Sequence, residues 1–173
     1  MSKKIFLLSL MTMSILYGTQ DFSSERLLGI EVGYTDTKTN TNGTQNSNSD
    51  VEWGLRIGAQ NDDWRTTLSA RFLKSGGRTY QKVMLDFDHF LWDSLYETDN
   101  IVFKPYLGGH AGWLRYTDDV SLSDNGFAYG AQVGLALNVL NEVDFDLGYR
   151  YTVTDMETVD NIGSVVFGVN YIY

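Results

Sequence analysis

Near the end of the chain, Val143-Asp-Phe-Asp-Leu-Gly-Tyr-Arg-Tyr151 alternates without a slip. Val143, Phe145, Leu147, Tyr149 and Tyr151 share one face; Asp144, Asp146, Gly148 and Arg150 share the other. A period of two is the mark of a β-strand. After a polar gap, Gly163 to Tyr173 repeats the pattern, with Val165, Phe167, Val169, Tyr171 and Tyr173 on one face. A soluble sheet would bury the aromatic face and leave the charged face in water. Nearly every strand-like run of this chain accepts the same register. The consistent solution is a closed barrel whose apolar face meets lipid.

Six further strands complete the reading. Strand one is 27–35, with Leu28, Ile30, Val32 and Tyr34 outward. The stretch 36–50 has almost no apolar residue and reads as a long loop. Strand two (51–60) turns Trp53, Leu55 and Ile57 outward and Glu52 and Arg56 inward; Asn61-Asp62-Asp63 is a tight turn. Strand three (64–73) and strand four (79–89) follow, joined near Ser75 to Arg78. Phe90 to Asn100 reads as a longer turn or one helical turn, with Phe90, Leu91, Trp92 and Leu95 resting on the membrane surface. Strand five (102–116), a loop from Thr117 to Asn125 and strand six (126–140) precede the two terminal strands, with 154–160 between those. The fold expected is all-β: an eight-stranded, antiparallel, up-and-down transmembrane β-barrel, with both chain ends in the periplasm.

Composition enters as a check. Mean hydropathy is only −0.22, as expected when alternate residues alone meet lipid. The formal charge of −9 argues against nucleic acid, whose phosphates need a basic footprint. With no cysteine, neither disulfides nor a thiolate metal site can form. Residues 1–18 read as a signal peptide, with Lys3 and Lys4 ahead of an apolar run from Ile5 to Leu16 and Gly18 at the cleavage region. The barrel domain would then be residues 19–173. The outward positions carry a single full charge, Arg115, at the outer rim. Outward aromatics gather toward two levels, as amphipathic rings do at headgroup depth.

The terminal strand, with apolar residues at alternate positions and an aromatic last residue, resembles the sorting signal of bacterial outer-membrane barrels. Leu147-Gly-Tyr-Arg-Tyr151 and Lys104-Pro-Tyr-Leu-Gly-Gly-His-Ala-Gly-Trp113 resemble strands of the small OmpA-like, opacity-type porin family of Gram-negative bacteria. The resemblance covers the whole mature chain and rests on patterns, so it speaks to fold and location more than to activity. It implies export to the outer membrane, embedding in outer-membrane lipid, and handling by periplasmic chaperones and the barrel-assembly machinery. Phe167, Val169, Tyr171 and Tyr173 would form the assembly signal. Tyr173 stands where the family more often has Phe. The chain would stop at the barrel, without the periplasmic domain of longer OmpA-like proteins.

The interior is where any chemistry would lie. Glu31, Glu52, Asp86, Asp88, Asp144 and Asp146 face inward with Arg56, Arg65, Arg71, Lys82 and Arg150. Residue counting puts Glu31, Arg56 and Asp86 at one depth and Glu52, Arg71 and Lys82 at another, nearer the outside; Asp146 and Arg150 complete the candidate network. Eight strands leave an interior that side chains can just fill, and buried charges of both signs should pair. A salt-bridged plug is the first expectation and a narrow, low-conductance pore the alternative.

An enzyme needs a nucleophile, a base and an orienter within reach. Only His89 and His110 are present, and His110 faces inward with Ser121 and Ser123 in the next loop, so no catalytic site is expected. No cofactor or metal is expected either: the acidic loops lack EF-hand spacing, and Gly29/Gly33 and Gly108/Gly112 lack the strand-turn-helix of a nucleotide site. A soluble lipocalin-like barrel remains the rival, with its faces reversed. The functional expectation is a membrane anchor whose external loops serve a structural, adhesion or interaction role, with the external partner unidentified.

Overall fold

The computed structural model describes residues 24–41, 44–75, 77–92, 94–98, 101–118, 123–139 and 142–173. The expected signal peptide lies outside them, as do 119–122 of the loop after strand five. The elements are β1 (Glu25–Thr41), β2 (Thr44–Gln60), β3 (Trp64–Ser75), β4 (Arg78–Phe90), β5 (Tyr96–Thr98), β6 (Ile101–Asp118), β7 (Ser123–Val139), β8 (Val143–Thr154) and β9 (Val159–Ile172). Eight of them pair in chain order, each antiparallel to the next, and β1 closes on β9. The three-residue β5 is extra, laid against the lower end of β6. The fold is a closed eight-stranded antiparallel barrel.

The alternation decides the faces. Leu28, Ile30, Trp53, Leu55, Leu85, Trp113, Leu147 and Phe167 point outward and are each about half exposed, while Glu31, Arg56, Arg71, Asp86 and Asp146 are buried within. A soluble barrel would show the reverse. Outward rings stack across strands: Trp53 on Phe72 at 4.8 Å, and Trp64 on Phe87 at 4.7 Å. At the lower end, the Asn61 side-chain oxygen accepts from the backbone N–H of Asp63 (3.0 Å) and of Trp64 (2.7 Å), which fixes the β2–β3 turn.

Three boundaries differ from the sequence expectation. The polar stretch 36–50 is mostly strand: the β1–β2 ladder continues from Asp36↔Ser49 to Thr41↔Thr44. Thr35, Thr37 and Thr39 turn inward and are buried there, while Lys38 is exposed. Threonine suits a pleated sheet, so the missing apolar residues mark only where the strands rise above lipid. The same holds at Thr117–Asn125, where β6 runs to Asp118 and β7 begins at Ser123, and at 154–160, where β9 begins at Val159. Phe90 is not on the membrane surface. It keeps the inward parity of Asp86 and Asp88, is 5% exposed, and meets Tyr106 edge to face at 6.5 Å. Leu91, Trp92 and Leu95 are exposed.

Candidate functional site

The barrel interior is the site, and strand parity builds it. Inward positions of β1, β2, β3, β4, β7 and β8 project charged and polar side chains into the lumen. Among the described residues, six carboxylates and five cations are buried there, none more than 6% exposed.

The groups are linked rather than merely adjacent. Glu31 receives Arg71 Nε at 2.5 Å and Arg150 Nη2 at 3.3 Å, with Arg56 at 3.7 Å. Arg71 also holds Asp86 at 2.7 Å, and Ser69 Oγ donates to the same carboxylate at 2.8 Å. Arg56 continues to Asp146, which also receives Arg65 (3.0 Å) and Asn170 (3.0 Å). Arg65 Nη2 reaches Asp88 at 3.0 Å, and Gln132 Nε2 donates to Asp88 at 2.5 Å. Gln132 Oε1 accepts from Arg150 Nε at 3.0 Å. The path therefore closes on itself: Glu31, Arg56, Asp146, Arg65, Asp88, Gln132, Arg150 and back to Glu31. It joins β1, β2, β3, β4, β7 and β8 across the lumen. Planar guanidinium groups suit this task, because each offers several donors in a fixed fork.

Close approach by the backbone makes space for it. The Arg56 guanidinium lies where a Cβ on Gly168 would sit. Below the ring, Arg65 stacks over Tyr106 at 4.8 Å and Phe90 at 5.5 Å, which gives its charge a further partner. Asp144, still lower, receives Asn138 (2.8 Å) and Gln60 (3.0 Å).

Lys82 and Glu52 pair separately, one tier above the ring. Arg71 does not join them as residue counting suggests; it turns toward Glu31 and Asp86. Strands of a barrel are tilted, so position along a strand is a poor measure of height, and a long arginine can bridge two tiers. All eight candidate lumen residues (Glu31, Glu52, Arg56, Arg71, Lys82, Asp86, Asp146 and Arg150) are buried inside the barrel.

Around the Lys82–Glu52 pair and above it lies a feature the alternation hides. Leu73, Tyr80, Met84, Leu114, Tyr116, Ala128, Met156, Val159 and Ile162 form a buried apolar cluster across the outer end of the lumen. Met156 enters it from the β8–β9 turn, which is tied to β7 by the backbone bond from Asp155 N to Phe127 O (3.1 Å) and by Thr158 Oγ1 donating to Asp124 (2.9 Å). Two-sided apolar runs such as Val83-Met84-Leu85 and Trp113-Leu114 were the available sequence signal.

His110 Nε2 lies 2.9 Å from Thr152 Oγ1, and His89 stacks on Trp64 at 4.2 Å. Among the described residues, no group of three or more His, Cys, Asp or Glu is arranged to hold a metal. Phe167, Val169 and Tyr171 lie on the outer face of β9, with Tyr173 stacked beside Tyr171 at 6.1 Å.

A family model described as the outer membrane protein beta-barrel domain matches residues 5–172. Among solved structures, Neisserial surface protein A is 18% identical with a TM-score of 0.70, over 88% of this chain and 100% of that one. Outer membrane protein H of P. aeruginosa is 19% identical with a TM-score of 0.62, over 86% and 99%. The N-terminal β-barrel domain of Pseudomonas aeruginosa OprF is 13% identical with a TM-score of 0.52, over 84% and 97%. At these identities the likeness is one of fold. No curated protein sequence matches the chain.

Proposed function

The chain belongs to the family of outer membrane protein β-barrel domains, and from that footing we propose that it is a closed anchor in the outer membrane. In this reading the lumen is a plug, and the strands and turns standing above the lipid serve a structural, adhesion or interaction role at the cell surface. The observation that supports it is the double closure of the lumen. A ring of ion pairs and hydrogen bonds spans its middle, and an apolar cluster covers its outer end. An ion would have to break the first and wet the second.

The narrow pore is the second reading, and one observation favours it. Arg56 Nε, Gln60 Oε1, His110 Nδ1 and Asn170 Oδ1 are buried without a protein partner, and such atoms are commonly satisfied by ordered water. A hydrated thread through the charged tiers would still meet the apolar cluster. Single-channel recording of the refolded protein in planar bilayers separates the readings. The plug predicts no current steps in the wild type, and steps once Glu31→Gln is combined with Leu114→Ala and Met84→Ala. Steady wild-type conductance would establish the pore instead.

Export through a cleaved N-terminal signal, passage on periplasmic chaperones and insertion by the barrel-assembly machinery belong to the same proposal. The lipid-side row of β9, with Phe167, Val169, Tyr171 and Tyr173, is the segment offered for that recognition. Exchanging Tyr171 and Tyr173 for Ser should lower the amount of protein in outer-membrane fractions; unchanged levels would remove these residues from the assembly role.

A further inference from the structure

Near the outer rim, the outside of the barrel is interrupted by a recess of about 200 Å³ on β1, β8 and β9. The strand registers set its lining in tiers. Tyr34 stands beside Val165, which pairs with Tyr149; Asp36 stands beside Gly163, which pairs with Tyr151; Lys38 stands beside Asn161. Tyr34, Asp36 and Lys38 are alternate residues of one strand, so all three point away from the lumen. The middle tier has no side chain on β9, and this opens the recess. A Cβ on Gly163 would lie 2.7 Å from Tyr149 Oη, so the Tyr149 hydroxyl reaches over the space a larger residue would take.

We infer that this recess binds the phosphorylated sugar headgroup of an outer-leaflet glycolipid. The inference rests on the outer-membrane barrel and is independent of whether the lumen is a plug or a pore. Height comes first: the recess sits where outward residues change from Val and Leu to Tyr and then to Asp and Lys, which is headgroup level. Its mouth opens sideways, toward neighbouring headgroups. Chemistry comes second. Tyrosine offers an apolar face with a polar tip, suited to a sugar ring that is apolar on its faces and hydroxylated at its edge.

Asp36 Oδ1 already accepts from Ser47 (2.5 Å) and Ser49 (3.3 Å), which fixes the carboxylate and leaves Oδ2 for an incoming hydroxyl. The Asn161 amide supplies both a donor and an acceptor. Lys38 supplies the charge for a phosphate. The ion pairs formed among the described residues do not include it, although the chain carries −9 overall. At about 200 Å³ the recess has room for one ring and not for a whole lipid. An aromatic belt alone requires neither the glycine floor nor the three polar side chains.

The test uses the full barrel in nanodiscs of phosphatidylethanolamine and phosphatidylglycerol, with and without a deep-rough lipopolysaccharide, read by amide NMR. Saturable shifts at Tyr151, Asn161 and Gly163 should appear with the glycolipid and not with phosphatidylglycerol alone. Lys38→Ala, which removes a charge-assisted bond, and Gly163→Leu, which fills the recess, should each weaken binding about tenfold. Both variants should keep the heat-modifiable gel shift of the closed barrel, whereas a chain that never formed the barrel would lose that shift in every sample. The assignment falls if phosphatidylglycerol gives the same shifts, if no shift saturates, or if both variants bind like the wild type. It also falls if soluble glucosamine phosphate binds glycolipid-free discs equally well, since the ligand would then not be the lipid.

Discussion

Two stretches of one lumen are closed by opposite chemistry. In the middle, Glu31, Asp146 and Asp88 hold Arg71, Arg56, Arg65 and Arg150 in a continuous network. At the outer end, Leu114, Met84, Tyr116 and Ile162 pack in an apolar cluster around the Lys82–Glu52 pair, apart from that network. Apolar closure is favourable outright, at about 25 cal/mol per Å² removed from water. Charged closure is a near balance: desolvation costs several kcal/mol per ion, and only good geometry with every donor and acceptor engaged offsets it. The apolar end therefore serves stability, and the charged middle serves specificity of register, because its bonds form only when six strands are aligned.

The contrast predicts where damage is worst. Glu31→Ala should have the largest effect, because it leaves Arg71, Arg150 and Arg56 facing one another without their shared carboxylate. Breaking a buried pair on one side costs about 3–5 kcal/mol, measurable as a lower urea midpoint in lipid, followed by tryptophan fluorescence. A loss below about 1 kcal/mol would mean that water reaches the network and the middle is not closed. Leu114→Ala should come next, at about 2–5 kcal/mol, since Leu114 is fully buried in the outer cluster. Its loss should appear as instability with the network intact. Ile162→Val, which deletes one methylene from the same cluster, should cost about 0.5–1.5 kcal/mol by the same measurement.

The difference between the two regions also governs what can be read from the chain. The charged middle is legible where a polar inward residue sits between apolar outward ones: Glu31 between Ile30 and Val32, Asp146 between Phe145 and Leu147. Face and strand follow from parity alone. Partners do not, as Arg71 demonstrates by crossing to Glu31 and Asp86, because side-chain reach and strand tilt are absent from a count of residues. The apolar end is hidden for the converse reason. Met84 between Val83 and Leu85 makes a two-sided apolar run, and there hydropathy stops distinguishing lumen from lipid. Phe90 is lost the same way, since an aromatic at a strand end suits either the membrane surface or the lumen. The polar stretch after Tyr34 misleads in the other direction: with neither side in lipid, a strand of Thr, Lys and Asn carries no apolar period to mark it.

The smallest effect is the sharpest test of the comparison. Lys82 and Glu52 pair outside the ring, at 3% side-chain exposure each, at the level where Lys82 lies beside Leu114 and Glu52 beside Leu73 of the apolar cluster. If the charged tiers contribute specificity more than stability, this pair should be replaceable as a unit. Lys82→Met alone should be costly, because Glu52 would keep a buried charge with no cation. Lys82→Met together with Glu52→Met makes the apolar cluster continuous at that level and removes both desolvation penalties, so unfolding in urea should lie within about 1 kcal/mol of the wild type or above it. The register is then the quantity to watch. A fully stable double variant that still gives the wild-type NMR pairings for β2 and β4 would show that the ring alone sets alignment. A double variant as unstable as the single one would show that the pair contributes stability in its own right, and the division between a stabilising end and a specifying middle would not hold.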